Sequence, residues 1–534
     1  MTVDGPPPRN GDVWDIVIIG AGLGGGTLGH ALSAKHRSVL FIERGPEHAR
    51  HDIPFADAID DPQQRMAAGR WPERMTVMID GRESLVYPPL GCGAGGSSLL
   101  FAAALERFAR SDLESIPGLP HPTGGWPFAW QDLCRHYDAA ERLYRVMGTP
   151  DPLAEHASPA MLTPPAASEI DRDLTESFRR AGLHPYRLHV GIGYGPGCGE
   201  CGGTVCPARC KRDSRLVCVE PSLAHGDTRL VSGAEVERIE ADDRRATAVV
   251  YRQGETSYRV TGRVVALAAG AYRSPAILLA SRSPQWPNGL GNGSDQVGRH
   301  LMFHANEWFA VWARRAASTA GPRKTIGFRD LYHHAGQRLG SIQSTGLRAT
   351  VDNVQHFLQN WFDTSRLRHL RSVRRLLRLV ALVAGRLFGE ASIFVMIVED
   401  FGYPDNRIVF DPGDPGRITV VYTVTDELRR RAREARRLTR RFLRGLRVVP
   451  LQTDVQLNFG HACGTCRAGH DPATSVLDGN CKVHDLDNLY VVDASFMPSS
   501  GGTNPGLTVI ANALRVAEVI DARLGAREGA LAAQ

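Results

Sequence analysis

The chain lacks the features that would assign it to a membrane, secreted or repeat class. Its first residues, MTVDGPPPRNGDVWD, contain no basic segment before an apolar core, so no secretory signal is predicted. The apolar run Ile16–Ala21 is far shorter than the roughly 20 residues that cross a bilayer. No internal repeat and no low-complexity linker is visible. We therefore expect a cytoplasmic globular protein.

The composition and the charge distribution exclude two further classes. Hydrophobic residues make up 43% and charged residues 22% of the 534 residues, which is not the composition of a disordered chain. The net charge of +6 is uneven, because Ser365–Arg386 holds seven Arg and no acid, and Leu428–Arg447 holds ten Arg and one Glu. The rest of the chain is therefore net acidic, which argues against a general nucleic-acid-binding protein. At this length two domains are expected.

Both basic segments are predicted to be helical. The segment 365–388 is predicted to be an amphipathic basic helix, which could lie on an anionic membrane surface or dock a partner. We favour a surface helix of the substrate domain, with its apolar stripe facing the core. The second segment is predicted to be a surface helix with an N-cap near Thr425 or Asp426. The apolar stripe of the first helix consists of Leu367, Leu370, Val373, Leu377, Val380 and Ala384.

An apolar strand, a glycine-rich turn, a helix and a second strand open the chain. The run Trp14–Ile19 is followed by the spacing G-x-G-x-x-G at Gly20, Gly22 and Gly25. The first glycine permits a tight turn, the second lets the backbone approach a pyrophosphate, and the third lets the helix pack against the strand. Glu43 ends the second strand, where a carboxylate can accept hydrogen bonds from both ribose hydroxyls. The unit predicts a site for an ADP-containing cofactor, without separating FAD from NAD.

Three further motifs indicate a family. The segment His461–Gly469, HACGTCRAG, resembles the H-x-x-G-T-C-x-M-G motif of the glucose–methanol–choline (GMC) oxidoreductases, and the order and spacing continue to Asn504 and Pro505. Pro88–Leu105 resembles the first signature of that family, and Ala269–Pro275 resembles the second. The motifs are spread over nearly the whole chain.

The resemblance implies an α/β (α+β overall) fold. It consists of a Rossmann-type FAD-binding domain with a parallel sheet and a β-meander, plus a substrate domain with a mainly antiparallel sheet. The FAD-binding domain is predicted to be discontinuous, over 12–110, 211–290 and 455–525. The substrate-binding domain is predicted over 111–210 and 291–454, with a cysteine-rich loop and the basic helices.

The resemblance also implies that the cofactor is FAD. In several family members, the helix after the Gly-Gly-Ser-Ser turn carries a histidine bonded covalently to the flavin, or an asparagine that contacts N5. The matching residues here are Leu100 and Phe101, so we predict non-covalent FAD without the usual hydrogen bond to N5. Beside Gly20, Gly22, Gly25 and Glu43, the cofactor-binding residues predicted by family position are Gly95, Ser97, Ser98, Val236, Asp493, Ala494 and Pro505.

The family position of His461 predicts the chemistry. Alcohol oxidation removes a proton from oxygen and a hydride from carbon, and the hydride goes to the flavin N5. Histidine suits the proton transfer, because its unperturbed pKa lies near 6.5. We assign His461 as the base and Asn504 as the residue that orients the substrate oxygen.

The expected partners are a small-molecule alcohol, such as a sugar, a polyol or another secondary-metabolite alcohol, and oxygen or a redox acceptor. The alternatives are a hydroxynitrile-lyase-like enzyme with redox-idle FAD and a dehydrogenase subunit that passes electrons through an Fe–S cluster.

Four of the ten cysteines fall within 13 residues, at Cys198, Cys201, Cys206 and Cys210. Three interpretations compete. We favour free thiols or local disulfides in a family loop. An Fe–S cluster is the second, because some bacterial GMC dehydrogenase large subunits carry a related cysteine cluster. A zinc ion is the third, although four ligands this close would be cramped.

Overall fold

The computed structural model describes residues 12–53, 61–156, 158–314, 320–347, 354–355, 358, 362, 371–389, 391–414 and 416–532. Its helices are α1 (Leu23–Ser33), α2 (Pro62–Ala67), α3 (Trp130–Leu143), α4 (Glu169–Arg180), α5 (Glu220–Leu223), α6 (Gly270–Ala280), α7 (Arg371–Phe388), α8 (Asp426–Phe442) and α9 (Gly506–Ala532). Its strands are β1 (Val13–Ile19), β2 (Val39–Ile42), β3 (Met75–Ile79), β4 (Arg82–Val86), β5 (Tyr186–Arg187), β6 (Thr228–Val231), β7 (Ala234–Ala241), β8 (Ala246–Gln253), β9 (Thr256–Leu267), β10 (Ala305–Val311), β11 (Ile326–Phe328), β12 (His333–His334), β13 (Gln337–Arg338), β14 (Gly340–Ser344), β15 (Ser392–Val398), β16 (Arg407–Val409), β17 (Thr419–Tyr422), β18 (Val448–Pro450), β19 (Gln456–Leu457) and β20 (Leu489–Val491).

The first sheet has the order β6-β2-β1-β9-β8-β7, and β20 also pairs with β9. Strands β6, β2, β1, β9 and β20 run parallel, whereas β7, β8 and β9 form an antiparallel meander. The parallel strands β1 and β2 are apolar and almost fully buried, as expected for strands covered on both faces. Helix α1 starts directly behind β1, so the glycine turn between them lies at the carboxyl end of the sheet.

The second sheet has the order β18-β10-β15-β14-β11-β5, and β19 also pairs with β10. All of its pairings are antiparallel. One face packs into a core cluster that includes Phe309, Ile342, Phe394 and Met396, and α8 contributes Leu438 to the same cluster. Successive side chains in a strand point to opposite faces, so the residues between these core positions face the other way. The two sheets confirm the predicted fold class.

A third sheet has the order β16-β17-β3-β4. In it β3 of the hairpin β3–β4, which lies in the segment predicted for the FAD-binding domain, pairs directly with β17, which lies in the segment predicted for the substrate domain. Helix α8 begins as predicted: the N-cap Thr425 accepts a hydrogen bond from Leu428 N at 3.2 Å. None of the described helices is both long and apolar enough to cross a membrane.

Candidate active site

In the glycine turn after β1, only Gly22 has space beside its Cα, whereas other protein atoms pack tightly against Gly20 and Gly25. Gly20 has φ +98°, and a Cβ on Gly25 would collide with the carbonyl oxygen of Gly20. A Cβ on Gly22 would instead have Gly96 Cα as its nearest neighbour, at 3.8 Å. The two glycine turns therefore lie against each other, because a Cβ on Gly96 would stand only 2.8 Å from Gly22 Cα, and the backbone of Gly22 stays uncovered at the N-terminus of α1. This is the cradle that a dinucleotide pyrophosphate at a helix N-terminus requires, so the residues fit the implied cofactor.

Glu43 joins the two turns. Its carboxylate accepts hydrogen bonds from the backbone N–H groups of Ala21 at 3.0 Å, Gly45 at 2.9 Å and Gly93 at 3.1 Å. The side chain is buried, and burial raises the pKa of Glu43. A carboxylate has about four acceptor positions, so one remains beside these three contacts. The predicted contact of Glu43 with the ribose stays a prediction.

Ser98 and Ser214 hold the second turn against the first. Ser98 Oγ donates to the carbonyl of Gly95 at 2.6 Å and accepts from Ser214 N at 2.9 Å. Ser214 Oγ in turn donates to the carbonyl of Gly22 at 2.9 Å. Ser97 Oγ accepts from a neighbouring backbone N–H at 3.2 Å. No role is predicted for Ser214, because it lies outside all three motifs.

Asp493 uses its carboxylate within the protein. Oδ2 accepts from Gly270 N at 3.0 Å and from Ser274 Oγ at 2.5 Å, and Oδ1 accepts from Ser495 N at 2.8 Å and Ser495 Oγ at 2.6 Å. Burial raises the pKa of Asp493. Four hydrogen bonds saturate the carboxylate, so a cofactor contact at this position comes from the backbone of Asp493 and Ala494. The other predicted backbone contact, Val236, lies buried in β7.

His461 is hydrogen-bonded to a second histidine, His304, which lies in none of the sequence motifs. Its Nδ1 lies 3.1 Å from Nδ1 of His304, and the two rings are nearly perpendicular. His304 Nε2 lies 3.0 Å from the carbonyl oxygen of Gly501, so Nε2 must carry the proton and donate it. His304 Nδ1 is then an acceptor, which requires that His461 Nδ1 donates. This chain of hydrogen bonds leaves His461 Nε2 unprotonated and able to take a proton.

The electrostatic surroundings keep both rings neutral. The pKa of His461 lies well below the usual value of 6.5, first because of burial and then because of His304 and Lys324. Burial lowers the pKa of His304 to about 4. At neutral pH both imidazoles are therefore uncharged, which is the state that a general base needs.

Asn504 is held by Gln343, on β14. Gln343 Nε2 donates to Asn504 Oδ1 at 3.0 Å, so the amide nitrogen of Asn504 is left to donate to a substrate oxygen. The loop before Asn504 is fixed to the same sheet, since Ser341 N donates to the carbonyl of Gly502 at 2.8 Å. Helix α9 begins at Gly506, directly after Pro505. His304 directly precedes β10, Gln343 lies on β14, and both strands flank β15. Gln343 is level with Trp308 in the register, so the same sheet supports His461 and Asn504 from two positions roughly 16 Å apart.

Lys324 is a further charged group near the base. It is buried, its Nζ donates to the carbonyl of Ala102 at 2.6 Å, and burial lowers its pKa to about 7. It is one of only four lysines among the 63 basic residues of the chain. This rarity is the sequence feature that could have drawn attention to Lys324.

The Lys324 charge predicts a shift in the pH profile. Below about pH 7 Lys324 is positive and disfavours a second positive charge on His461. In Lys324→Met the pKa of His461 should rise toward 6.5. Because activity falls as the pH drops through that pKa, the acid limb of kcat should move to higher pH. The measurement is a pH–rate profile of both proteins, with Lys482→Met as the control. An unmoved acid limb would show that Lys324 does not act on His461.

Leu100 is buried and packs with Ala49, Leu99 and Val205. Phe101 packs against Ala103 and a neighbouring small cluster. A leucine side chain has no atom that can bond to the flavin, so denaturation with acid or heat should release all the FAD into the supernatant. Yellow colour that remains with the precipitated protein would contradict this prediction.

The four clustered cysteine thiols form one connected chain, in which Cys201 is hydrogen-bonded to Cys206. The Sγ atoms of Cys206 and Cys210 are 3.3 Å apart, and Cys210 Sγ lies 3.4 Å from Cys198 Sγ. The described cysteines form no disulfide. Iron and zinc assays on anaerobically purified protein, with a thiol titration, separate the three interpretations.

Comparison with known proteins identifies the family that has this arrangement. The amino-terminal profile of the GMC oxidoreductases matches residues 15–306, and the carboxy-terminal profile matches residues 405–513. The chain belongs to the GMC oxidoreductase family. The family identifies the cofactor as FAD and the reaction class as oxidation at a CH–OH group.

Curated relatives and a solved structure match this GMC oxidoreductase over almost its full length. It is 31% identical to 6'''-hydroxyparomomycin C oxidase of Streptomyces lividus, over 99% of this chain and 95% of the relative. It is 29% identical to paromamine 6'-oxidase of Streptomyces fradiae, over 99% and 95%. The structure of a pyridoxine 4-oxidase from Mesorbium loti covers 95% of this chain and 98% of its own, with a TM-score of 0.64 and 21% identity, which supports the fold.

Proposed function

We propose that this enzyme oxidises a hydroxymethyl group of an amino sugar to the aldehyde, with His461 as the base. His461 Nε2 takes the proton of the alcohol, while the Asn504 amide donates to the alcohol oxygen and orients it. Bound FAD supplies the acceptor for the hydride that leaves the carbon. The alcohol thus loses one proton to His461 and one hydride to the cofactor, which balances its oxidation to an aldehyde.

The substrate class rests on one observation. On the face of the second sheet that carries Gln343, three buried polar atoms have no hydrogen-bond partner among the described residues: Asn306 Oδ1, Trp308 Nε1 and Gln343 Oε1. Asn306 and Trp308 alternate with core residues of β10, so they share a face with His304. A buried polar atom without a partner is costly, so a ligand rich in hydroxyl and ammonium groups is the expected partner. The two aminoglycoside oxidases among the relatives support the same class.

Anaerobic mixing tests the proposal. The FAD-loaded enzyme is mixed with an amino-sugar pseudodisaccharide that has a free hydroxymethyl group, with glucose and with benzyl alcohol. The pseudodisaccharide should remove the oxidised-flavin absorbance with the highest kcat/KM. Asn306→Leu should raise the KM for the pseudodisaccharide about tenfold or more, because the acceptor at Asn306 Oδ1 is lost. It should change the KM for benzyl alcohol little, because Asn504 keeps its hydrogen bond from Gln343. Equal loss for both substrates would contradict the assignment of the acceptor.

We propose oxygen as the electron acceptor, on the support of the two relatives named as oxidases. Turnover in air should then yield one hydrogen peroxide per aldehyde. Aldehyde formation only with an added artificial acceptor would indicate a dehydrogenase. We also propose a cytoplasmic location, which cell fractionation tests.

A further inference from the structure

Helix α7 exposes an unusual amount of apolar surface. Of the ten large hydrophobic side chains that are exposed among the described residues, six lie on this one helix. Helix α8, also arginine-rich, has none of them and buries Leu428 and Leu438. The six side chains on α7, each between 44% and 59% exposed, are Leu376, Leu379, Val380, Leu382, Val383 and Leu387.

The exposed residues form a second apolar face, separate from the face that docks the helix. Leu377 and Ala381 are buried, and the ring of Phe388 lies 5.6 Å from that of Trp312. Five of the six exposed residues follow the spacing i, i+3, i+4, i+7, i+11 from Leu376, which is one stripe of a helix. The predicted stripe is therefore only partly right: Leu377 is buried, but Val380 is half exposed, and Leu367 and Leu370 lie outside the described residues. The expectation that it faces the core was wrong for Val380.

The charge on the helix favours one kind of occupant. Ser365–Arg386 contains seven Arg and no acid, and Arg378 and Arg386 are exposed on α7. Two copies of this helix placed face to face would bring like charges together without any acidic partner. An anionic bilayer surface matches both properties, because acyl chains accept the apolar stripe and lipid phosphates pair with the arginines.

We propose that the exposed face of α7 inserts into the interface of an anionic lipid bilayer. Helix α7 connects β14 to β15, so docking would hold the substrate-domain sheet beside the membrane surface. The exposed side chains contact none of the groups assigned to catalysis. Turnover of a soluble alcohol is therefore expected to be the same with and without the apolar stripe.

Flotation of the FAD-loaded enzyme with vesicles tests the proposal. Wild type should bind vesicles of phosphatidylglycerol and phosphatidylcholine, bind pure phosphatidylcholine at least about tenfold more weakly, and dissociate in about 0.5 M NaCl. Leu379→Asp/Val383→Asp should lower binding by at least about tenfold. Arg378→Gln/Arg386→Gln should weaken binding to the anionic vesicles roughly 10- to 30-fold. Leu85→Asp, which changes an equally exposed leucine on β4, should bind as wild type does.

Three results would overturn the proposal. The first is no binding of wild type to anionic vesicles. The second is binding that the Leu379/Val383 variant retains while its kcat for a soluble alcohol shows it to be folded. The third is a dimer in sedimentation velocity that the same variant dissociates, which would assign the face to a second copy of the chain.

Discussion

Replacing His461 with alanine should lower the rate of anaerobic flavin reduction by about 10²- to 10⁴-fold, the usual contribution of a general base. The structure gives the physical reason, because Nε2 of His461 is the unprotonated nitrogen of a hydrogen-bonded histidine pair. FAD should stay bound, since none of the cradle residues contacts His461 in the described hydrogen bonds. Stopped-flow absorbance with the pseudodisaccharide measures the rate.

His470→Ala is the matched control. His470 directly follows the motif and is exposed, so its loss should leave the rate within about twofold, as for most surface changes. If His461→Ala bound FAD and reduced it at the wild-type rate, the assignment of the base would be wrong.

Replacing His304 with leucine should have the second-largest effect. Leucine removes the acceptor for His461 Nδ1–H, so the proton of His461 is no longer confined to Nδ1 and the form with a free Nε2 is less populated. An incorrect tautomer costs up to about 10⁴-fold in serine-protease triads. We expect His304→Leu to lower kcat by at least about tenfold and to change KM little.

His304→Asn separates this positioning role from simple packing. The asparagine Oδ1 can stand where His304 Nδ1 stands and accept from His461, although the contact to Gly501 is lost. Asparagine should therefore recover most of the kcat that leucine loses. If both variants lost kcat equally while retaining FAD and wild-type thermal stability, His304 would not control the tautomer.

The parts of this site that the sequence predicted are those where geometry restricts the residue type. Gly20 and Gly25 are predictable because a positive φ and a close approach to the strand admit no side chain. His461 is predictable because the GMC motif includes it, and the same resemblance implies the fold class. The structure of these elements depends mainly on nearby residues, so a short sequence pattern is enough to predict them.

The remaining parts depend on contacts between distant segments. His304 meets His461 across 157 residues, and Gln343 meets Asn504 across 161 residues. Neither His304 nor Gln343 lies in a motif, since the substrate sheet that carries them is defined only by alternating strands. The second apolar face of α7 was missed for a different reason. Helical periodicity identifies one apolar stripe. It does not show whether the other apolar side chains on the same helix are buried against the rest of the protein.

The most direct test of the whole account is anaerobic flavin reduction by a matched pair of substrates. One is the pseudodisaccharide with a free hydroxymethyl group, and the other is its deoxy analogue, which has a methyl group instead. We expect the first compound to remove the oxidised-flavin absorbance completely, and more slowly when its hydroxymethyl carbon carries deuterium. We expect no change with the second. Equal reduction by both compounds, or no reduction by any alcohol tried, would contradict the account.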